Sequence, residues 1–162
     1  MEDKVYAVEA KTVDVLIGFF DNLVRSETRL YNALSDALRA EQGIGMVQFE
    51  FLRHLGSHAD ARVGDVAATF AVGVGATSKA FNRLEQEGWV RREPDPADRR
   101  SSFLRLTDSG RSVVDGAEAV FRRELVKLVG QAVSKSELGS ASRTLGRLRG
   151  FLESGGLGTP VG

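Results

Sequence analysis

The chain of 162 residues has no cysteine, which rules out disulfide scaffolding, thiolate metal sites and thiol-based redox switching. It has three prolines, and two of them, Pro94 and Pro96, sit almost side by side. Aromatics make up 7% of the residues, with a single tryptophan. There is no charge of one sign to spare: Lys+Arg and Asp+Glu number 22 each. The basic excess that usually marks a partner of nucleic acid is therefore missing, and any attraction for a polyanion has to come from local clustering. No apolar run reaches the roughly 18 residues of a membrane span. The start, M-E-D-K-V-Y-A-V-E-A, has no apolar signal-peptide core, so a cytoplasmic protein without membrane contact is expected. No G-x-S-x-G, phosphate-cradling loop or nucleophile–base set occurs, and Gly73-Val74-Gly75 follows no strand, so neither an enzyme nor a cofactor is expected.

What is present is helical periodicity. Val13, Leu16, Ile17, Phe20, Leu23, Val24, Tyr31, Leu34 and Leu38 recur at three and four, which predicts one long amphipathic helix over 12–40. Val113, Val114, Ala117, Val120, Phe121, Leu125 and Leu128 predict a helix over 108–129, with Thr107 as N-cap. Leu138, Ala141, Leu145, Leu148 and Leu152 predict another over 135–153, capped by Ser134 or Ser136. The long first helix has too little partner surface in one subunit, which argues for a homodimer.

Between these flanks the elements shorten. A helix is expected over 46–56 with Val47, Phe51, Leu52 and Leu55 inward, and two more over 63–71 and 74–87. The last two meet at a tight turn through Val72-Gly73, a helix-turn-helix pattern. Strands follow at about 89–93 and 102–106, joined by P-D-P-A-D-R-R-S. The fold class is mainly α with a small β-hairpin wing: a winged helix-turn-helix at 45–107, dimerisation helices at 1–44 and 108–153, and a disordered tail at 154–162.

The 74–87 helix puts Thr77, Ala80, Phe81 and Leu84 on one face, and Ala76, Ser78, Lys79, Asn82, Arg83 and Gln86 on the other. Small residues followed by donors and cations suit a major groove, and Gly73 and Gly75 permit close approach to phosphate. Polar faces are common on any amphipathic helix, so the wing carries more weight. Arg91, Arg92, Arg99, Arg100 and Arg105 stand there against Glu93, Asp95 and Asp98. Arginine suits a narrow minor groove, and an aspartate two residues away can hold its side chain extended.

The stretches M-V-Q-F-E-F-L-R-H-L, V-G-D-V-A, S-K-A-F-N-R-L-E-Q-E-G-W-V-R-R-E-P-D-P-A-D-R-R-S and L-R-L-T-D-S-G-R resemble the MarR family of dimeric winged-helix regulators. The resemblance is sharpest in D-x-R followed by L-x-L-T. It implies a homodimer on a palindromic double-stranded DNA operator, with 74–87 as reading helix, Arg100 as wing-tip arginine and Asp98 orienting it. The DNA-binding residues expected are Gly75, Ala76, Thr77, Ser78, Lys79, Asn82, Arg83, Asp98, Arg99 and Arg100. It also implies a small aromatic or anionic effector held between the DNA-binding lobe and the dimer helices. Phe19, Phe20, Tyr31, Phe49 and Phe51 are the aromatic candidates for its wall, with no choice among them.

The chain departs from the family pattern at Gly73 and Gly75, where Ser or Thr usually opens the reading helix, and at Gly45 and Arg62, where a hydroxyl cap is common. Lys79 stands where the family often has arginine, a swap that removes bidentate guanine recognition. Glu50, His54 and His58 fall four residues apart on one helix and can share a metal face. Spacing alone supplies no closed ligand set, so these read as surface or pocket-lining side chains, with a metal-responsive regulator as one alternative. A winged-helix module that binds protein is the other.

Overall fold

The computed structural model describes residues 10–98 and 101–160. In chain order they form α1 (Ala10–Gln42), α2 (Met46–Ser57), α3 (Val63–Thr69), α4 (Val74–Gln86), β1 (Val90–Pro94), β2 (Ser102–Leu106), α5 (Asp108–Leu128) and α6 (Lys135–Ser154). The expected mainly helical fold with a two-stranded wing is present.

Local chemistry sets most boundaries. Gly43 ends α1 in the left-handed region at φ +70, and its N–H returns to the Arg39 carbonyl. Gly45 has no side chain to cap α2, but the Gln48 amide oxygen accepts its N–H at 2.9 Å. Asp65 does the same for Arg62 ahead of α3, also at 2.9 Å. In this way residues inside the first turns supply half of a capping box where the cap positions lack hydroxyls. Thr107 accepts from the Gly110 N–H at the head of α5, and Ser134, not Ser136, caps α6 with Glu137 completing the box.

The turn between α3 and α4 differs from the expected glycine turn. Gly73 has an ordinary φ of −65. The left-handed residue is Ala71, at φ +51, and the Val72 N–H closes the turn on the Ala67 carbonyl at 3.0 Å.

Two cores share a wall. One, under the wing, gathers Phe51, Leu52, Leu55, Val66, Phe81, Leu84, Val90, Leu104 and Leu106. The other, where α1 and α2 meet α5, gathers Leu34, Leu38, Ile44, Met46, Phe49, Ala117 and Val120. Trp89 and Val113 pack against both. Val47, expected inward, is 48% exposed, because its face of α2 opens on a cavity that also touches Ala80 and Arg83 of α4.

β1 and β2 pair antiparallel, from Val90 opposite Leu106 to Pro94 opposite Ser102. The Leu104 N–H also bonds to the Ala61 carbonyl, at 2.9 Å, which ties the wing to the segment ahead of α3. The far half of α1 and all of α6 contribute nothing to either core: Val13, Leu16, Ile17 and Phe20 are exposed, and α6 buries no residue.

Candidate nucleic-acid interface

α4 presents the outward face that its periodicity indicates. Gly75, Ala76, Lys79, Asn82, Arg83 and Gln86 are exposed and Ser78 is half-buried, while Phe81 and Leu84 anchor the helix in the core. Thr77 has to be taken out of the expected DNA-facing set. It is 1% exposed, and its hydroxyl donates to the Gly73 carbonyl at 3.0 Å, one turn back. The cause is the period of the helix: Thr77, Phe81 and Leu84 lie three and four apart on the buried side.

The wing is braced from three directions. Arg105 of β2 donates to Glu93 of β1 at 3.0 Å and to Asp60 at 3.2 Å. Arg91 also donates to Glu93, at 2.6 Å. Glu93 therefore joins two arginines across the hairpin, and the Arg105 bond above all holds its carboxyl below the usual carboxylate range. Arg92 turns to α4, where its guanidinium donates to Glu85 at 2.7 Å and to the Asn82 amide oxygen at 2.9 Å. Each of these three arginines is thus ion-paired within the protein. The expected concentration of available cations along the wing is correspondingly thinner. Arg99 and Arg100 lie outside the described residues.

At the tip the carboxylate that organises the backbone is Asp95, which the sequence offered only as one wing acid among several. It is 4% exposed. It accepts the Ala97 N–H at 2.8 Å, the Arg62 guanidinium at 2.5 Å and the Asp98 N–H. The Ala97 bond first, then Arg62, holds its carboxyl low. Arg62 also lies over the Phe103 ring, 4.8 Å from its centre. The departure from a hydroxyl cap at residue 62 thereby gains a use, since the arginine there fastens the wing tip to the start of α3. Asp98 contributes its backbone, its carbonyl accepting the Ser101 N–H at 2.9 Å. A D-P-x-D spacing signals an Asx turn, but only the fold brings Arg62 to it.

A cleft of about 760 Å³ opens between the end of α2, the wing strands and α5. Arg53, Arg91, Arg105 and Arg111 line it against Asp115 and Glu118, over an apolar floor that includes Leu106 and Val114. Two buried side-chain atoms among its lining residues, Arg105 Nη1 and Glu118 Oε2, have no hydrogen-bond partner. None of the five aromatic candidates lines this cleft. Phe49 and Phe51 are buried in the two cores, Phe19 and Phe20 are exposed on α1, and Tyr31 lines a separate cavity of about 420 Å³.

Glu50, His54 and His58, the residues of the metal-responsive alternative, are engaged elsewhere. Tyr31 donates to Glu50 at 3.2 Å, with its own pKa pushed up to about 12 by burial and by that carboxylate. His54 and His58 stack on each other, ring centres 4.0 Å apart. Burial, then the neighbouring His58, pushes the His54 pKa down. Among the described residues no group of three or more histidines and carboxylates is placed to hold a metal ion, and no helix is long and apolar enough to cross a membrane.

Comparison with known proteins gives three kinds of likeness. Residues 42–101 match the model of the MarR family. The HTH-type transcriptional regulator BilQ of Clostridioides difficile is 29% identical over 73 residues, covering 45% of this chain and 49% of BilQ, so the match spans about half of that relative's length. Among solved structures, Sco3205 of Streptomyces coelicolor, a MarR family transcriptional regulator in complex with DNA, superposes with a TM-score of 0.81 at 23% identity over 98% of both chains. CouR of Rhodococcus jostii, bound to p-coumaroyl-CoA, superposes with a TM-score of 0.69 at 25% identity, over 80% of this chain and 88% of CouR.

Proposed function

Residues 42–101 of this chain are a MarR-family winged helix set in that family's fold, and from that premise we propose that the protein is a sequence-specific, DNA-binding transcriptional repressor. It acts as a homodimer on a palindromic operator and responds to a small effector. The observation that carries this reading is the outward face of α4. Lys79, Asn82 and Arg83 stand exposed on a helix whose other face is buried, with a braced wing beside it. The face begins with Gly75 and Ala76, where backbone has to approach phosphate, and continues with donors, where base edges lie. Ser78 completes the reading surface, and Asp98, Arg99 and Arg100 are on this reading the contacts to the neighbouring groove.

Exposed apolar residues support the dimer. Leu16, Ile17 and Phe20 on α1 are 56%, 55% and 63% exposed, and Phe151 on α6 is 68% exposed. A second copy that covers these faces places two reading helices about one DNA turn, 34–36 Å, apart. Residues 1–44 and 108–153 are on this reading the dimerisation region, around a DNA-binding domain at 45–107.

The arginine-lined cleft supports the effector. Its cations and apolar floor suit an anion with an apolar body, the chemistry of the aromatic anions expected above. Arg105 belongs to the cleft and to the Glu93 bridge of the wing at once. An anion that competes with Glu93 for this arginine loosens the hairpin, and it shifts the binding equilibrium by its differential affinity for the two states.

The test is binding of the purified protein to the duplex that flanks its own gene, repeated over a range of salt. The expected result is operator-length protection with a linear loss of log affinity against log salt. Equal indifference to all duplexes would refute the reading and favour a module that binds protein.

A further inference from the structure

The contact between Arg92 and Asn82 bears on which base α4 reads. Arginine has only donors, so the Asn82 atom 2.9 Å from its guanidinium is the amide oxygen, and the orientation of the amide follows. Arg92 cannot swing away freely, because Glu85, one turn further along α4, holds the other side of the same guanidinium at 2.7 Å. The amide nitrogen of Asn82 is left pointing away from the wing with two N–H groups to give. Asparagine recognises adenine through both halves of its amide, its oxygen accepting from adenine N6 and its nitrogen donating to N7. Here the oxygen is turned to the wing, so the edge left for a base is the amide N–H2 group, and an adenine amino group brought to it would set donor against donor. Guanine places two acceptors, N7 and O6, on the same edge.

We propose that Arg92 is a specificity-determining positioning residue that fixes the Asn82 amide as a donor, so that α4 selects guanine and rejects adenine at the base pair facing Asn82. This rests on the DNA-binding reading above. Arg92 touches no base on this account; it acts through Asn82.

Selection of the full-length protein on randomised duplexes, followed by sequencing, tests it. The wild type enriches an operator, and Asn82→Ala identifies the position concerned by losing its preference there alone. Guanine is expected at that position in the wild-type operator, favoured over adenine by roughly ten-fold. Arg92→Ala frees the amide to turn and brings adenine to within about three-fold of guanine at that position, on the same scale of discrimination, with the other positions unchanged. Arg92→Lys keeps the charge and stem, but its single ammonium cannot hold both partners in a fork. It gives an intermediate preference, and it carries the comparison if Arg92→Ala fails to fold. Adenine preferred by the wild type overturns the proposal. So does an Arg92 variant that weakens all positions equally, which is the signature of a merely structural brace. An Asn82→Ala variant with no positional effect does the same. A wild type that enriches no duplex removes the DNA-binding reading itself and the proposal with it.

Discussion

Gly110 sits where the winged helix meets α5, and Gly110→Ala tests how rigid that junction is. A Cβ added at Gly110 falls 2.0 Å from the Trp89 carbonyl oxygen and 2.9 Å from its carbonyl carbon. An ordinary carbon–oxygen contact is about 3.3 Å, so helix and strand must part by more than ~1 Å. That movement breaks the bond from the Thr107 N–H to the same carbonyl, now 3.0 Å long, and disturbs Trp89, which both cores share. Overpacking costs about 1–3 kcal/mol, and a buried carbonyl left without its partner costs a similar amount. Alanine's better helix propensity returns about 1 kcal/mol. The net expectation is a loss of about 3 kcal/mol, on the sum of these effects. Urea unfolding at one fixed protein concentration reads it as a lower midpoint with an unchanged slope. Gly64→Ala is the control, since a Cβ there meets nothing within 4 Å. Stability in Gly110→Ala equal to or above the wild type would refute the reasoning, because it would mean that the junction yields at no cost.

Ala71→Gly should stabilise the protein by about 0.5–1 kcal/mol in the same assay: it relieves a left-handed alanine worth about 1–2 kcal/mol and costs less than that in chain entropy. His54 has a lowered pKa in the fold, so its contribution is complete above its ordinary value of 6.5 and is lost as pH falls through the folded value. His54→Gln should therefore flatten the drop in melting temperature on the acid side of pH 6.5, and an identical drop would exclude His54 as its source. Lys79→Ala should weaken DNA binding evenly across sequences and reduce the salt slope by about one per protomer; a loss confined to one operator position would make Lys79 a base reader instead.

The longer helices were legible in the sequence because each carries a strong three-four period, and two of them, α5 and α6, have a recognisable cap. The positions that misled are those where one helix face meets different partners along its length. Val47 shares a face with Phe51 and Leu55, yet only the later turns meet the core. Thr77 shares the phase of Phe81 and Leu84, so its period already places it on the buried face, and only the resemblance set it among the DNA-facing residues. The carboxylate partners were hidden for another reason. Asp95 and Asp98 look alike in the sequence, and what separates them is Arg62, 33 residues before Asp95. Arg92 depends on nearer chain geometry, since the left-handed Gly88 brings β1 back beside α4 and so Arg92 to Asn82.

The internal pairing of arginines also explains how a chain without net charge can still be built for a polyanion. Arg91, Arg92 and Arg105 are held by Glu93, Glu85 and Asp60, so they add little long-range attraction. What they add is geometry: a hairpin held square to α4 and an amide held in one orientation. Lys79 and Arg83, by contrast, have no carboxylate partner among the described residues and stand exposed on the outward face of α4. On the proposed DNA-binding reading, affinity comes from few unpaired cations and from a surface already ordered before binding, which lowers the entropic cost of docking. If the proposed role of Arg92 holds, sequence preference rests on the orientation of Asn82 more than on charge, and a substitution that loosens the arginine pairs degrades selectivity before it degrades affinity.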